Sequence, residues 1–162
     1  MKDFGPRIML IGPGGSGKST LGKSLGEALN LPVLYLDKEF EHESDPAVRL
    51  CRIHEFAMGE RWIIDGNMGV PNMDGRMARA TSIVFLDFSR YRCLWRGLRR
   101  NIGQQLRREM RDDGCPARPD WTFMRWVWRF PNVQRPAILE KLSTYPDKAI
   151  ILRNPRDVER LF

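Results

Sequence analysis

One stretch near the N-terminus restricts this chain more than any other: Gly12-Pro13-Gly14-Gly15-Ser16-Gly17-Lys18-Ser19. An unbroken apolar run, RIMLIG over residues 7–12, leads into it, as expected of a strand buried on both faces of a parallel sheet. Beyond it Leu21, Leu25, Ala28 and Leu29 recur on one helical face until Asn30 and Pro32 end the helix. A strand, a glycine turn and a helix in this order bring successive backbone amides to a helix N-terminus, where they attract phosphate. The spacing G-x-x-x-x-G-K-[ST] adds the rest. Glycines let the backbone approach an anion closely, Lys18 supplies a point charge for the β- and γ-phosphates, and the Ser19 hydroxyl is a magnesium ligand. The loop from Gly12 to Thr20 is therefore expected to hold a nucleoside triphosphate through Gly12, Gly14, Gly15, Ser16, Gly17, Lys18, Ser19 and Thr20, with Mg2+. Nothing structural in a strand-to-helix turn requires a lysine after Gly17.

The same alternation continues along the chain. Strands are expected over residues 33–36, 62–65, 82–87 and 149–152. Helices are expected after Asp45-Pro46, within 67–80, over 90–110, 121–129 and 131–144, and from Pro155. The breaker-rich stretch DDGCPARPD reads as a loop. Short, apolar, non-alternating strands interleaved with helices predict a parallel sheet covered on both faces, an α/β fold. No repeat, low-complexity tract or linker divides the sequence, so residues 1–162 are expected to form a single domain.

In open parallel sheets, ligands bind beside the carboxyl ends of the strands. Asp37 follows the second apolar run and Asp65 ends the third, WIID. A carboxylate there can hold magnesium or accept a proton from a substrate hydroxyl; it can also cap a helix or close a loop. We expect Asp65 to serve the metal with Ser19, and Asp37 to serve the acceptor. Asp87 also ends a strand but precedes Ser89-Arg90, and is expected to cap a helix.

Charge narrows the partners. The chain carries +7 overall, yet residues 90–135 contain twelve arginines, no lysine and four acids, a net of +8, which leaves −1 elsewhere. Arginine is the better bidentate partner for phosphate oxygens, so this segment is expected to face nucleotide phosphates or nucleic acid. Trp121, Trp126 and Trp128 lie within it, and packing is expected of them in preference to base stacking. Three dispersed cysteines and two isolated histidines offer neither a disulfide framework nor a zinc site. No apolar run approaches the length that spans a bilayer, and the N-terminus lacks the features of a signal peptide, so a cytoplasmic protein with no membrane partner is expected.

GPGGSGKST, LPVLYLDK, WIIDGN, SIVFLDFSRYRCLWR, GCPARPDWTFMRWVWRFPNVQRPAIL and KAIILRNPRDV, in this order, resemble small P-loop proteins described as DNA topology modulation proteins. These are related to adenylate kinase and to the shikimate and gluconate kinases. The resemblance covers nearly the whole chain. It implies a three-layer P-loop NTPase fold, like that of nucleoside monophosphate kinases, with five parallel strands in the order 2-3-1-4-5. It also implies an arginine-rich helical lid at about 90–135. By the same resemblance, Asp37 and Asn67 lie where the acceptor is held, and Arg76 replaces an acceptor-binding arginine. The resemblance further implies Arg96, Arg100 and Arg135 as candidate lid arginines and places Asn154 and Arg156 where the adenine rests. The sequence departs from the adenylate kinase pattern after Asp65-Gly66, where Asn67-Met68-Gly69 stands in place of Phe-Pro-Arg. It departs again after Asp37, where a hydrophobic stretch is replaced by Lys38-Glu39-Phe40-Glu41. The expected activity is an ATP-dependent phosphotransferase acting on an unidentified acceptor, a small molecule or a nucleotide. The alternative is a nucleotide-dependent nucleic-acid-binding protein with slow ATP hydrolysis, for which no DNA-reading motif is present. Arginines converging on the glycine loop favour the first; an exterior stripe favours the second.

Overall fold

The computed structural model describes residues 2–40, 43–69, 72–109 and 121–162. Five strands, β1 (Arg7–Ile11), β2 (Val33–Tyr35), β3 (Trp62–Asp65), β4 (Ser82–Leu86) and β5 (Ala149–Leu152), pair in parallel in the order β2-β3-β1-β4-β5. The expected sheet and strand order are both present. The glycine loop therefore leaves the central strand, with β3 on one side and β4 on the other.

Side chains of β1 alternate between the two faces. Met9 and Ile11 join Ile64, Ile83 and Phe85 on one face, under α3 (Pro46–Met58), α4 (Asp74–Arg79) and α7 (Arg135–Ser143) through Ile53, Met77 and Ile138. Ile8 and Leu10 join Ile63, Val84 and Leu86 on the other, under α1 (Lys18–Leu29) through Leu21 and Leu25. Burial of each such aliphatic side chain contributes roughly 1.5–3 kcal/mol. The central strands β3 and β4 are buried throughout, which is why their sequences lack polar alternation.

Helix ends follow local chemistry. Asp45 accepts from the Ala47 amide at 2.8 Å with Pro46 in the first turn of α3, and Asn30 closes α1 in the left-handed conformation at φ 50°. Three details differ from expectation. β2 stops at Tyr35: Leu36, expected as its last residue, and Asp37 sit in a one-turn helix, α2 (Leu36–Glu39). α6 (Trp121–Val133) runs through Pro131, where a break is expected; packing of Val127 and Phe130, one in each core cluster, holds that helix across the end of the sheet. Asp87 does not cap α5 (Arg90–Glu109). The Ser89 hydroxyl faces the Arg92 amide at 3.5 Å instead, and Asp87 receives Arg135. The loop expected over 112–120 lies outside the described residues. α8 (Pro155–Glu159) follows β5. No helix among the described residues is long and apolar enough to cross a membrane.

Candidate active site

The site is built on the step from β1 to α1. Gly17 caps α1 at φ 99°, a conformation that favours glycine, and it has no side chain to occupy the helix's free amides. The first turn of α1 carries no acid, so its positive end is left for an external anion. Ser16 is buried and its Oγ has no hydrogen-bond partner among the described residues.

Lys18 is buried and folds back on the loop, donating to the carbonyls of Gly12 and Pro13, each at 3.0 Å. Desolvation lowers its pKa, opposed by the charges of Asp65 and Asp37. Ser19 Oγ donates to Asp65 Oδ2 at 2.6 Å. Asp65 ends β3, in register with Leu10 of β1 and Tyr35 of β2, so the strand itself delivers the carboxylate to the loop. Burial pushes the Asp65 carboxyl above its ordinary range, against the pull of Lys18 and of the Ser19 hydrogen bond. Its second oxygen, Oδ1, is buried and without a partner among the described residues. A hydroxyl beside a carboxylate, at a helix N-terminus that bears no acid of its own, fits magnesium, which keeps water and phosphate among its ligands. No group of three or more His, Cys, Asp or Glu side chains suited to a metal occurs among the described residues.

Asn67 and Arg76 have a different place from the expected one. Asn67 clasps the first loop residue on both sides: its Oδ1 accepts from Gly12 N at 3.0 Å and its Nδ2 donates to Gly12 O at 2.9 Å. Arg76, 3% exposed, donates to the carbonyls of Gly66 at 3.0 Å and Asn67 at 2.7 Å, and also to that of Asn72. Desolvation brings its pKa down to about 10. The guanidinium expected on an acceptor phosphate instead holds the turn that carries Asn67, and Asn67 holds the loop. Both belong to the scaffold under the site.

Of the three lid candidates, two reach the loop. Arg96 donates to Ser16 O at 3.2 Å, and Arg100 lines the same cleft of about 290 Å³ as Gly14, Lys18, Ser19, Thr20 and Asp37. Arg135 does not line this cleft. It forms a two-pronged pair with Asp87, at 2.7 and 2.8 Å, that ties the start of α7 to the end of β4. Its position right after α6 could not reveal this partner from sequence.

Asn154 caps α8 through a reciprocal pair with Asp157, and Arg156 is exposed beyond it. Neither lines the hollow of about 220 Å³ that opens beside the loop, where Phe88, Pro155, Val158 and Phe162 meet Ser16 and Thr20 and where Arg96 and Glu159 also line the wall. Phe88, Val158 and Phe162 were not expected at the site; single apolar residues near strand and helix ends carry no signal of their own. Phe123, which also lines the main cleft, was masked by its neighbours in an aromatic-rich helix. Of those neighbours Trp126 packs against both core clusters, Trp128 is half-exposed with the Tyr91 ring edge-on at 5.9 Å and the Arg90 guanidinium 4.9 Å from its centroid, and Trp121 is exposed.

Known proteins share sequence segments and the fold with this chain. No protein-family model matches the chain. A shikimate kinase of Rhodococcus jostii (strain RHA1) is 38% identical over 50 residues, 31% of this chain and 30% of that protein. A shikimate kinase of Thioalkalivibrio sulfidiphilus (strain HL-EbGR7) is 40% identical over 70 residues, 43% of this chain and 32% of that protein. The chain thus spans under a third of the length of these curated relatives in the matched segments. Among solved structures, shikimate kinase from Acinetobacter baumannii in complex with shikimate superposes with a TM-score of 0.60 at 20% identity, over 91% of this chain and 82% of that one. Shikimate kinase from Bacteroides thetaiotaomicron gives 0.58 at 22% identity, over 96% of each chain. A gluconokinase from Sinorhizobium meliloti 1021 gives 0.53 at 15%, over 94% and 84%. These likenesses carry the shikimate and gluconate kinase side of the resemblance and give no support to its DNA topology side. The fold is that of the P-loop kinases, an α/β sheet of five parallel strands in the order 2-3-1-4-5.

Proposed function

We propose that this chain is an ATP-dependent phosphotransferase that moves the γ-phosphoryl group of ATP to a hydroxyl of a small acceptor. The observation that carries this reading is convergence. Lys18, Ser19, Asp37, Arg96 and Arg100 line one cleft, and the Asp65 carboxylate stands behind it on Ser19. The triphosphate lies along the amides of the Gly12–Thr20 loop, and Lys18 turns from the loop carbonyls to the β- and γ-phosphates. Ser19 and Asp65 would hold magnesium, which when bound neutralises phosphate charge. The hollow of Phe88, Val158 and Phe162 takes the base. Asp37 accepts the proton of the acceptor hydroxyl as its oxygen bonds to the γ-phosphorus. The bond from that phosphorus to the β–γ bridging oxygen breaks, and ADP leaves. Arg96 and Arg100 stabilise charge on the transferring group. Shikimate kinases and a gluconokinase among the similar proteins support a hydroxyl on a small acid as the acceptor.

Two lid-segment arginines face the loop, which supports the phosphotransferase over a nucleic-acid-binding protein. The test is a screen of shikimate, gluconate, related hydroxy acids and nucleoside monophosphates for ADP release with Mg-ATP, with the phosphorylated product read by phosphorus NMR. One acceptor class is expected to raise ADP release at least tenfold over the background hydrolysis, a modest part of what positioned transfer achieves. Absence of Mg-ATP binding in a direct titration, or tight Mg-independent binding of DNA with no effect of any acceptor, would refute the reading.

A further inference from the structure

We propose that Phe123 is a positioning residue that seats Arg100 over the phosphate-binding loop. The inference rests on the phosphotransferase reading above and assigns a role to a side chain which that reading leaves unused. The Phe123 ring is wedged between two glycines from different elements. A Cβ on Gly14 of the loop would run into the ring edge, with Trp126 also near at 3.1 Å. A Cβ on Gly97 of α5 would meet Phe123 Cε1 at 2.7 Å. Gly97 lies inside a long helix, where glycine weakens the helix, so close approach of the ring gives that residue a reason to be there. On the other side, the Arg100 guanidinium lies 5.7 Å from the Phe123 ring centroid, within reach of a cation–π contact. Phe123 and Arg100 both line the cleft that holds Lys18, Ser19 and Asp37.

The three contacts make one device. Arg100 is a long side chain on the exposed face of α5, and left alone it would sample many rotamers. The ring offers it a flat, electron-rich face at the mouth of the cleft, and the ring's place is fixed by the loop itself through Gly14. Trp126 and Phe130 continue the line of rings, with centroids 6.4 Å and then 5.6 Å apart, and anchor it to the buried core. A guanidinium held in place before charge develops stabilises the transferring phosphoryl group better than one that must be recruited.

Phe123→Leu separates this role from packing, since leucine fills the slot but has no π face. Steady-state turnover of Mg-ATP, with the acceptor found in the screen or as background hydrolysis, is measured for wild type, Phe123→Leu, Arg100→Ala and the double variant, alongside melting temperatures. Phe123→Leu is expected to lower kcat about fivefold, the worth of one partly exposed cation–π contact, while KM for Mg-ATP stays within about twofold and melting is little changed. Arg100→Ala should lower kcat further, and adding Phe123→Leu to it should change nothing more. Gly97→Ala, which pushes the ring out of its slot, should fall between wild type and Arg100→Ala. Wild-type turnover in Phe123→Leu, or a double variant whose loss is the product of the two single losses, overturns the proposal. Failure of the wild type to bind Mg-ATP overturns the phosphotransferase reading itself, and this inference with it.

Discussion

At the residue scale, the two buried charges at the loop separate ligand binding from folding. Lys18 gives its hydrogen bonds to Gly12 O and Pro13 O, yet Gly12 O also accepts from Asn67 and Pro13 O from the Ser16 amide. Removing the lysine therefore strands neither carbonyl. Lys18→Ala removes a desolvated ammonium but also the counter-charge of Asp65, two opposing effects, and is expected to melt within about 5 °C of wild type. Its affinity for Mg-ATP in a calorimetric titration should fall at least tenfold, in line with the loss of a charge-assisted contact. Asp65 is the complementary case. Its folded-state pKa is raised, so at low pH, where the carboxyl is neutral in both states, its burial costs nothing by this route. As pH rises from the ordinary carboxylate range through the raised value, the unfolded chain loses its proton first and stability falls. Asp65→Asn lacks this term. In EDTA and without nucleotide, its melting temperature should gain on wild type as pH rises through that window and level off above it. Its turnover should nevertheless fall by about 10², the scale of losing a positioned group at the reacting centre. A variant that melts early but turns over normally per folded molecule would make Asp65 structural only.

At the scale of elements, the same residue type does three jobs on neighbouring stretches. Arg96 and Arg100 project from α5 to the loop, Arg76 of α4 braces a turn, and Arg135 ties α7 to the end of β4. The difference lies in what each meets. A guanidinium surrounded by carbonyls, or fixed on a carboxylate, has little left for a substrate phosphate. Arg135 is more than a third exposed, so water screens its pair with Asp87 and the pair is worth about 1 kcal/mol. Arg135→Ala should therefore lower the melting temperature by about 2–4 °C and leave kcat and KM within about twofold. A hundredfold loss of turnover at unchanged stability would return Arg135 to the catalytic set.

At the scale of the molecule, ligand and fold are linked by mass action. A ligand that binds only the folded chain at a hundred times its Kd stabilises by about 2.7 kcal/mol, which is about 5–11 °C for a domain of this size. Mg-ADP should raise the wild-type melting temperature by that amount, and ADP with EDTA by distinctly less, because the metal site proposed at Ser19 and Asp65 would then be without its ion. Lys18→Ala should lose most of the increment. Equal shifts with and without magnesium would remove Ser19 and Asp65 from the metal site.

Much of this was legible in the sequence because the relevant interactions are local. The glycine loop, its flanking strand and helix, and the Asp45-Pro46 helix start depend on residues a few positions apart, and backbone chemistry dictates them wherever the chain is placed. Apolar runs without alternation likewise announced a sheet covered on both faces, which brings strand-end carboxylates such as Asp65 to the loop. What the tertiary structure alone decided is the partner of each long side chain. Asp87 and Arg135 are 48 positions apart, and Asn67 and Gly12 are 55 apart. A guanidinium or an amide that can serve a phosphate, a carboxylate or a carbonyl equally well takes whichever the fold sets within 3 Å. Phe123 came to the site for the same reason. Its sequence neighbours mark it as one more core aromatic, and only the meeting of α6, α5 and the glycine loop gives its ring a slot between Gly14 and Gly97 and puts Arg100 on its face.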